Sequence, residues 1–239
     1  MQEYKFDNRR GSVARTGVDA ATTFLAKVFY WMAIGLGLTG VTAFVVANSA
    51  TAQQIIFSNK LVYYGLIFGE LGLVLYLSAR VERMSALAAT SLFVLYSMLN
   101  GATLSAILLI YTATSVASTF FIAAGMFGAM AVYGVVTKKD LTGFGSFLFM
   151  GLIGIVIASL VNIFLNSPMI SWIVSAIGVL VFTGLTAYDV QKISQMGSGY
   201  LMGGDEGVMR KGAIMGALTL YLDFINLFLS LLRLMGDRR

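Results

Sequence analysis

LTLYLDFINLFLSLL, residues 218–232, is long and apolar enough to belong inside a lipid bilayer, yet it carries Asp223 at its centre and Asn226 one helical turn further on. An aspartate at the middle of a lipid-embedded helix costs roughly 2.5–3.5 kcal/mol on insertion scales. The stretch therefore poses two questions: whether its surroundings are membrane, and what the carboxyl group meets there.

The rest of the chain answers the first. Hydrophobic residues make up 58 % of its 239 positions and charged residues 11 %, against about 25 % charged in soluble domains. A water-soluble fold of this size has too little interior to hide so much apolar surface. Apolar runs of about 20 residues recur, the length of a helix that crosses a bilayer. A membrane barrel would instead show weaker segments of alternating hydrophobicity. The fold class is thus an all-α polytopic membrane protein.

Seven spans are expected, at 21–48, 61–80, 85–111, 116–137, 142–165, 169–193 and 212–236. A polar tail, residues 1–20, precedes a single membrane domain, residues 21–239, and reads as disordered or lying on the surface. The first apolar stretch is too long for the core of a cleavable signal and is expected to stay as a span. Connections are short except SQMGSGYLMGGDEGVMRKG, 194–212, whose glycines and polar residues predict a mobile loop. The pairs Gly212/Gly216, Ala33/Gly37 and Gly154/Ala158 have the spacing of close helix contacts.

Basic residues near span ends set orientation. With the N-terminus in the cytoplasm, the inner segments hold Lys5, Arg9, Arg10, Arg15, Arg80, Arg83, Lys138, Lys139, Lys192, Arg210 and Lys211. The outer ones hold Lys60, Arg233, Arg238 and Arg239. The expected N-terminus is cytoplasmic. Seven crossings leave a basic C-terminus outside, so a last segment that re-enters without crossing stays open. The net charge of +5 suits anionic lipid. Scattered over span ends, it gives no nucleic-acid surface.

The chain has no cysteine and no histidine. That removes disulfides, thiolate and imidazole catalysis and the usual zinc and haem ligands. No cofactor is expected, and proton chemistry falls to carboxylates, Lys, Arg or Tyr. Lys27, Lys192 and Arg233 sit near span ends and can snorkel, whereas Glu70 and Asp223 cannot.

Asp189, in GLTAYDVQKI (184–193), is the natural partner of Asp223. Asp223 lies ~16 Å into its span and Asp189 ~6 Å from the end of its own, so the depths match only if the sixth helix runs past Ile193 or the seventh begins later. Two carboxyls in contact resist simultaneous ionisation and share a proton. Proton-shared they hold two helices together; doubly ionised they part them and offer oxygen ligands to Ca²⁺. The bland alternative has each aspartate bonded to backbone, Asn226 or Asn162. Arg80 and Arg83 are the nearest cations on that side, and a guanidinium on Asp189 would latch the second span to the sixth. Glu70, ~15 Å from Arg80 along its helix, is either an intermediate step for an ion or a neutral acid paired with Asn100 or a tyrosine.

GLTAYDVQKI followed by ALTLYLDFINLFLSLLR (217–233) closely resembles the Bax-inhibitor family of transmembrane proteins, and MFGAMAVYGVVTKKDLTGFG (126–145) agrees with it. The resemblance spans about residues 20–236 and, lacking a long soluble extension, is similar to the bacterial branch, which implies a bacterial inner membrane. It implies helices wrapped around a central C-terminal helix, and calcium leak controlled by pH. It also implies that Asp189 and Asp223 are the pH-sensing pair, that Arg83 or Arg80 is the latch on Asp189, and that Glu70 is the family's acidic residue of the second span. The expected partners are lipid, calcium ions, protons and other membrane proteins. Asn100 and Asn226 are further candidates for an ion path.

Two rivals stand beside the channel. One is a non-conducting regulator of a membrane protease or of a stress or cell-death partner. The other is an intramembrane aspartyl protease, suggested by Tyr188-Asp189 and Asp223 on consecutive spans. That family keeps glycines before its second aspartate, where this chain has Leu220, Tyr221 and Leu222. No enzymatic activity is expected.

Overall fold

The computed structural model describes the backbone of residues 3–202 and 205–239, and the side chains of residues 21–197 and 205–239. The elements in order are α1 (Glu3–Ala47), α2 (Ala50–Phe57), α3 (Lys60–Arg80), a 3-10 turn (Val81–Arg83), α4 (Ala86–Ile110), α5 (Ala113–Val136), α6 (Thr142–Leu165), α7 (Pro168–Met202) and α8 (Glu206–Met235). Seven of these helices are long and apolar enough to cross a bilayer. The polar tail continues α1 as helix back to Glu3, and α2 is a short helix within the first connection.

Short polar side chains start most helices. Asn59, Ser85 and Thr112 each accept a hydrogen bond from the first turn that follows, the usual way to satisfy amides that a helix leaves unpaired. The α6–α7 turn is set by Asn166 in the left-handed region (φ 49°). The chain's single proline, Pro168, opens α7, where its missing amide costs nothing. At the other end of α6, Asp140 accepts from the amide and hydroxyl of Thr142. Those bonds hold the exposed Asp140 carboxyl below its ordinary value.

α8 is the centre. In its most apolar window 72 % of the residues are buried, against 6 % for α6. α1, α4, α5 and α7 pack around it, while α6 leans on α7. Tyr221 meets Phe93 and Tyr96 edge-on, and Phe224 meets Phe120 and Phe127. α8 also crosses the whole bundle. Near its start Lys211 donates to the carbonyl of Glu82 (2.8 Å) in the 3-10 turn. Beyond its end Asp237 accepts from Thr112 N–H (3.0 Å), and Arg239 N–H donates to Ile110 (2.9 Å), both at the α4–α5 turn. This is a crossing helix, so the re-entrant alternative for the last segment does not hold.

The expected mobile loop at 194–211 is corrected by the structure. α7 continues to Met202 and α8 begins at Glu206. Asp205 caps α8 by accepting from Gly207 and Val208. Glycine in this stretch serves packing: a Cβ at Gly197 would strike Phe24 of α1. The small-residue pairs divide in the same way. Gly216 sits against Val28, whereas Gly37 and Gly154 face open space and do not mediate close contacts.

Candidate functional site

The extension of α7 narrows the mismatch of depth between the two aspartates, from about 10 Å to about 6 Å. Asp189 stands 13 residues before the end of α7, about 20 Å along the helix, and Asp223 17 residues after the start of α8, about 26 Å. α7 and α8 pack closely along each other, and the two aspartates lie side by side. The two carboxyls lie close enough to interact directly, and two carboxyls in contact resist simultaneous ionisation. Asp223 is 5 % exposed, and its Oδ2 is buried with no hydrogen-bond partner.

The pair opens onto a cavity of about 560 Å³ whose lining includes Thr142, Ser146, Lys192, Thr219 and Asn226. A smaller cavity of about 160 Å³, bounded by Phe24, Lys192 and Met215, reaches Asp189 from the α1 side. Lys192 is exposed, with its ammonium 5.8 Å from the ring of Tyr188. Asn226 donates to Leu222 C=O (2.8 Å), and Asn162 bonds Ser167 and Ser171 at the far end of the bundle. Neither asparagine partners an aspartate.

Two carboxylates with a hydroxyl and an amide near them fall short of the six to eight oxygens that Ca²⁺ takes in a resident site. Among the described residues no group of three acidic, His or Cys side chains gathers.

Arg80 and Arg83 do not reach the pair. Both are exposed, α3 packs chiefly on α4, and among the described residues no ion pair joins either to Asp189 or Asp223. The 3-10 turn is held instead by Lys211. Nearby, Arg210 donates to Thr90 (3.2 Å) and stacks on Trp31 (5.6 Å).

Glu70 forms a second centre. Buried at 8 % exposure, it accepts from the Thr103 hydroxyl on Oε1 and from Asn100 Nδ2 (3.1 Å) on Oε2. The Asn100 carbonyl oxygen accepts from Tyr221 (3.1 Å). The Tyr221 hydroxyl also meets that of Thr39 (2.7 Å), which lies 2.9 Å from the carbonyls of Gly35 and Ser97. Thr39, Thr103 and Tyr221 escape a sequence reading, since hydroxyls are common in membrane helices and satisfy themselves on backbone. The only signal was that Tyr221 lies two residues from Asp223.

A family profile described as "Inhibitor of apoptosis-promoting Bax1" matches residues 21–239. The chain belongs to the Bax-inhibitor family. It is 55 % identical over 217 residues to the inner membrane protein YbhL of Escherichia coli K12, covering 91 % of this chain and 92 % of that one. It is 49 % identical over 216 residues to an "uncharacterized protein" of Borreliella burgdorferi (90 % and 92 %). To the "uncharacterized protein RP147" of Rickettsia prowazekii it is 47 % identical over 218 residues (90 % of each). The match to the family covers both aspartates and the second centre at Glu70. Before Asp223, where an intramembrane aspartyl protease has glycine, the chain places Leu220 and Leu222, and Leu220 is fully buried.

Proposed function

We propose that this Bax-inhibitor protein is a pH-sensitive cation leak channel, with Ca²⁺ as the favoured ion, gated by the pair Asp189 and Asp223. The observation that carries the reading is the contact of two carboxyls inside the membrane, beside a cavity and with one buried oxygen unpartnered. A shared proton ties α7 to α8. Loss of that proton leaves two like charges in contact, and their repulsion separates the helices. An arriving divalent cation offsets that repulsion, so the same groups that gate also attract the ion. Arg83 or Arg80 acts as the latch only after α3 and the 3-10 turn move toward α7. The relative YbhL is named as an inner membrane protein, and that location, with a cytoplasmic N-terminus, is part of the proposal.

Calcium flux into dye-loaded liposomes between about pH 5 and 8, for the wild type, Asp189→Asn and Asp223→Asn, tests it. The expected result is a pH-dependent flux whose pH response both variants lose. Flux and pH response unchanged in both variants would remove the gate from this pair. Folded protein without flux would favour the non-conducting regulator.

A further inference from the structure

α6 packs against α7 and hardly touches α8. The gap between α6 and α8 forms a furrow, and the part of it furthest from the aspartates has two chambers. The chamber at the bundle's end has a volume of about 690 Å³ and is lined by Arg233, Arg238, Asn166, Ser171 and the exposed Trp172, with no carboxylate. Behind it lies a slot of about 360 Å³ whose walls are mostly apolar, among them Ile155, Leu160, Val174 and Phe182. Arg233 lines both chambers and marks their boundary.

The end chamber is electropositive by construction. Two arginines line it, and no carboxylate does. The neighbouring carboxylate, Asp237, is engaged elsewhere: its Oδ2 lies 3.4 Å from the hydroxyl of Ser115, which also accepts from Asp237 N–H. Arg238 rests on the ring of Tyr111 at 5.8 Å, which fixes its plane without neutralising it. Trp172 is 61 % exposed, as aromatic side chains are at the level of lipid headgroups.

We propose that the furrow is a binding site for one anionic phospholipid of the surrounding bilayer. Its phosphodiester sits between Arg233 and Arg238, and one acyl chain lies in the slot behind. Guanidinium binds phosphate oxygens in pairs, and basic pockets between membrane helices select acidic headgroups. A choline headgroup would bring a third cation into the chamber and is disfavoured. The slot argues for a lipid over a free anion, because a soluble phosphate leaves it empty. The proposal is independent of the leak reading.

Native mass spectrometry of the full chain, released from detergent containing equal phosphatidylglycerol and phosphatidylcholine, tests it. The variants are Arg233→Gln with Arg238→Gln, and separately Ile155→Trp, which fills the slot from the α6 side. The expected result is selective retention of phosphatidylglycerol, about tenfold weaker in the double variant and also weakened by Ile155→Trp. Helical circular dichroism checks that each variant is folded; Arg238→Gln alone, at an exposed position, serves if the double variant is not. Equal retention of the two lipids overturns the proposal, as does undiminished phosphatidylglycerol in folded arginine variants. Displacement of the lipid by millimolar inorganic phosphate, with Ile155→Trp silent, identifies a free-anion site and overturns the lipid.

Discussion

Tyr221 and Asp223 are two residues apart on α8 and so point about 200° apart around it. One helix therefore carries two polar centres at nearly the same depth, on opposite faces. Asp223 meets Asp189 of α7, and Tyr221 joins Thr39 of α1 to Asn100 of α4 and through it to Glu70 of α3. The phenol hydroxyl is the link between α8 and the Glu70 centre. Tyr221→Phe keeps the edge-on packing against Phe93 and Tyr96 but leaves the Asn100 carbonyl without its donor. Partial rescue by other groups in a membrane interior moderates the cost. The expected loss is about 0.5–2 kcal/mol, read as a lowered unfolding midpoint in detergent. An unchanged midpoint would mean that the network holds nothing together.

Helix positions are decided by a few close approaches. A Cβ at Gly134 of α5 would overlap the carbonyl of Ala187 in α7, and one at Gly145 of α6 would enter the ring of Tyr188. Ala187 and Tyr188 directly precede Asp189, so these contacts position the segment that carries the pair. Backbone cannot step aside as a flexible side chain can. Gly134→Ala is expected to destabilise by about 1–3 kcal/mol and to disturb Asp189. Gly154→Ala, with nothing within 4 Å of the new atom, should be neutral or slightly stabilising by helix propensity. Thermal unfolding of both variants checks the pair, and equal effects would contradict this account of α5 against α7.

At the scale of the molecule, α8 runs from the 3-10 turn at one end to the α4–α5 turn at the other. Lys138 and Arg238 therefore lie at opposite ends of the bundle. The chain has no cysteine, so single cysteines at these two positions report without background. With the N-terminus cytoplasmic, an impermeant thiol reagent added to intact cells should label Arg238→Cys and spare Lys138→Cys. The reverse pattern would invert the orientation and would put the arginine chamber in the cytoplasmic leaflet. Labelling of both or of neither in intact cells would contradict a crossing α8.

The sequence alone determined the all-α membrane class, the seven candidate spans and the two aspartates worth pairing; that the last span crosses fully was decided by the contacts at both ends of α8. A bilayer is a slab, so crossing it depends on summed hydropathy along a run of chain, and that sum is one-dimensional. Asp189 and Asp223 stood out for the same reason, because a charge in such a run is costly wherever the helix faces. The tertiary structure decided what each side chain meets. Glu70 bonds Asn100 and Thr103, Arg80 and Arg83 face outward, and Gly154 touches nothing. It also turned most of the Gly-rich stretch at 194–211 into helix, since contact along α1 and α8 outweighs the local preference of glycine for turns. Those outcomes depend on how each helix is rotated about its axis and on which helix lies beside it, and neither is set by hydropathy along the chain.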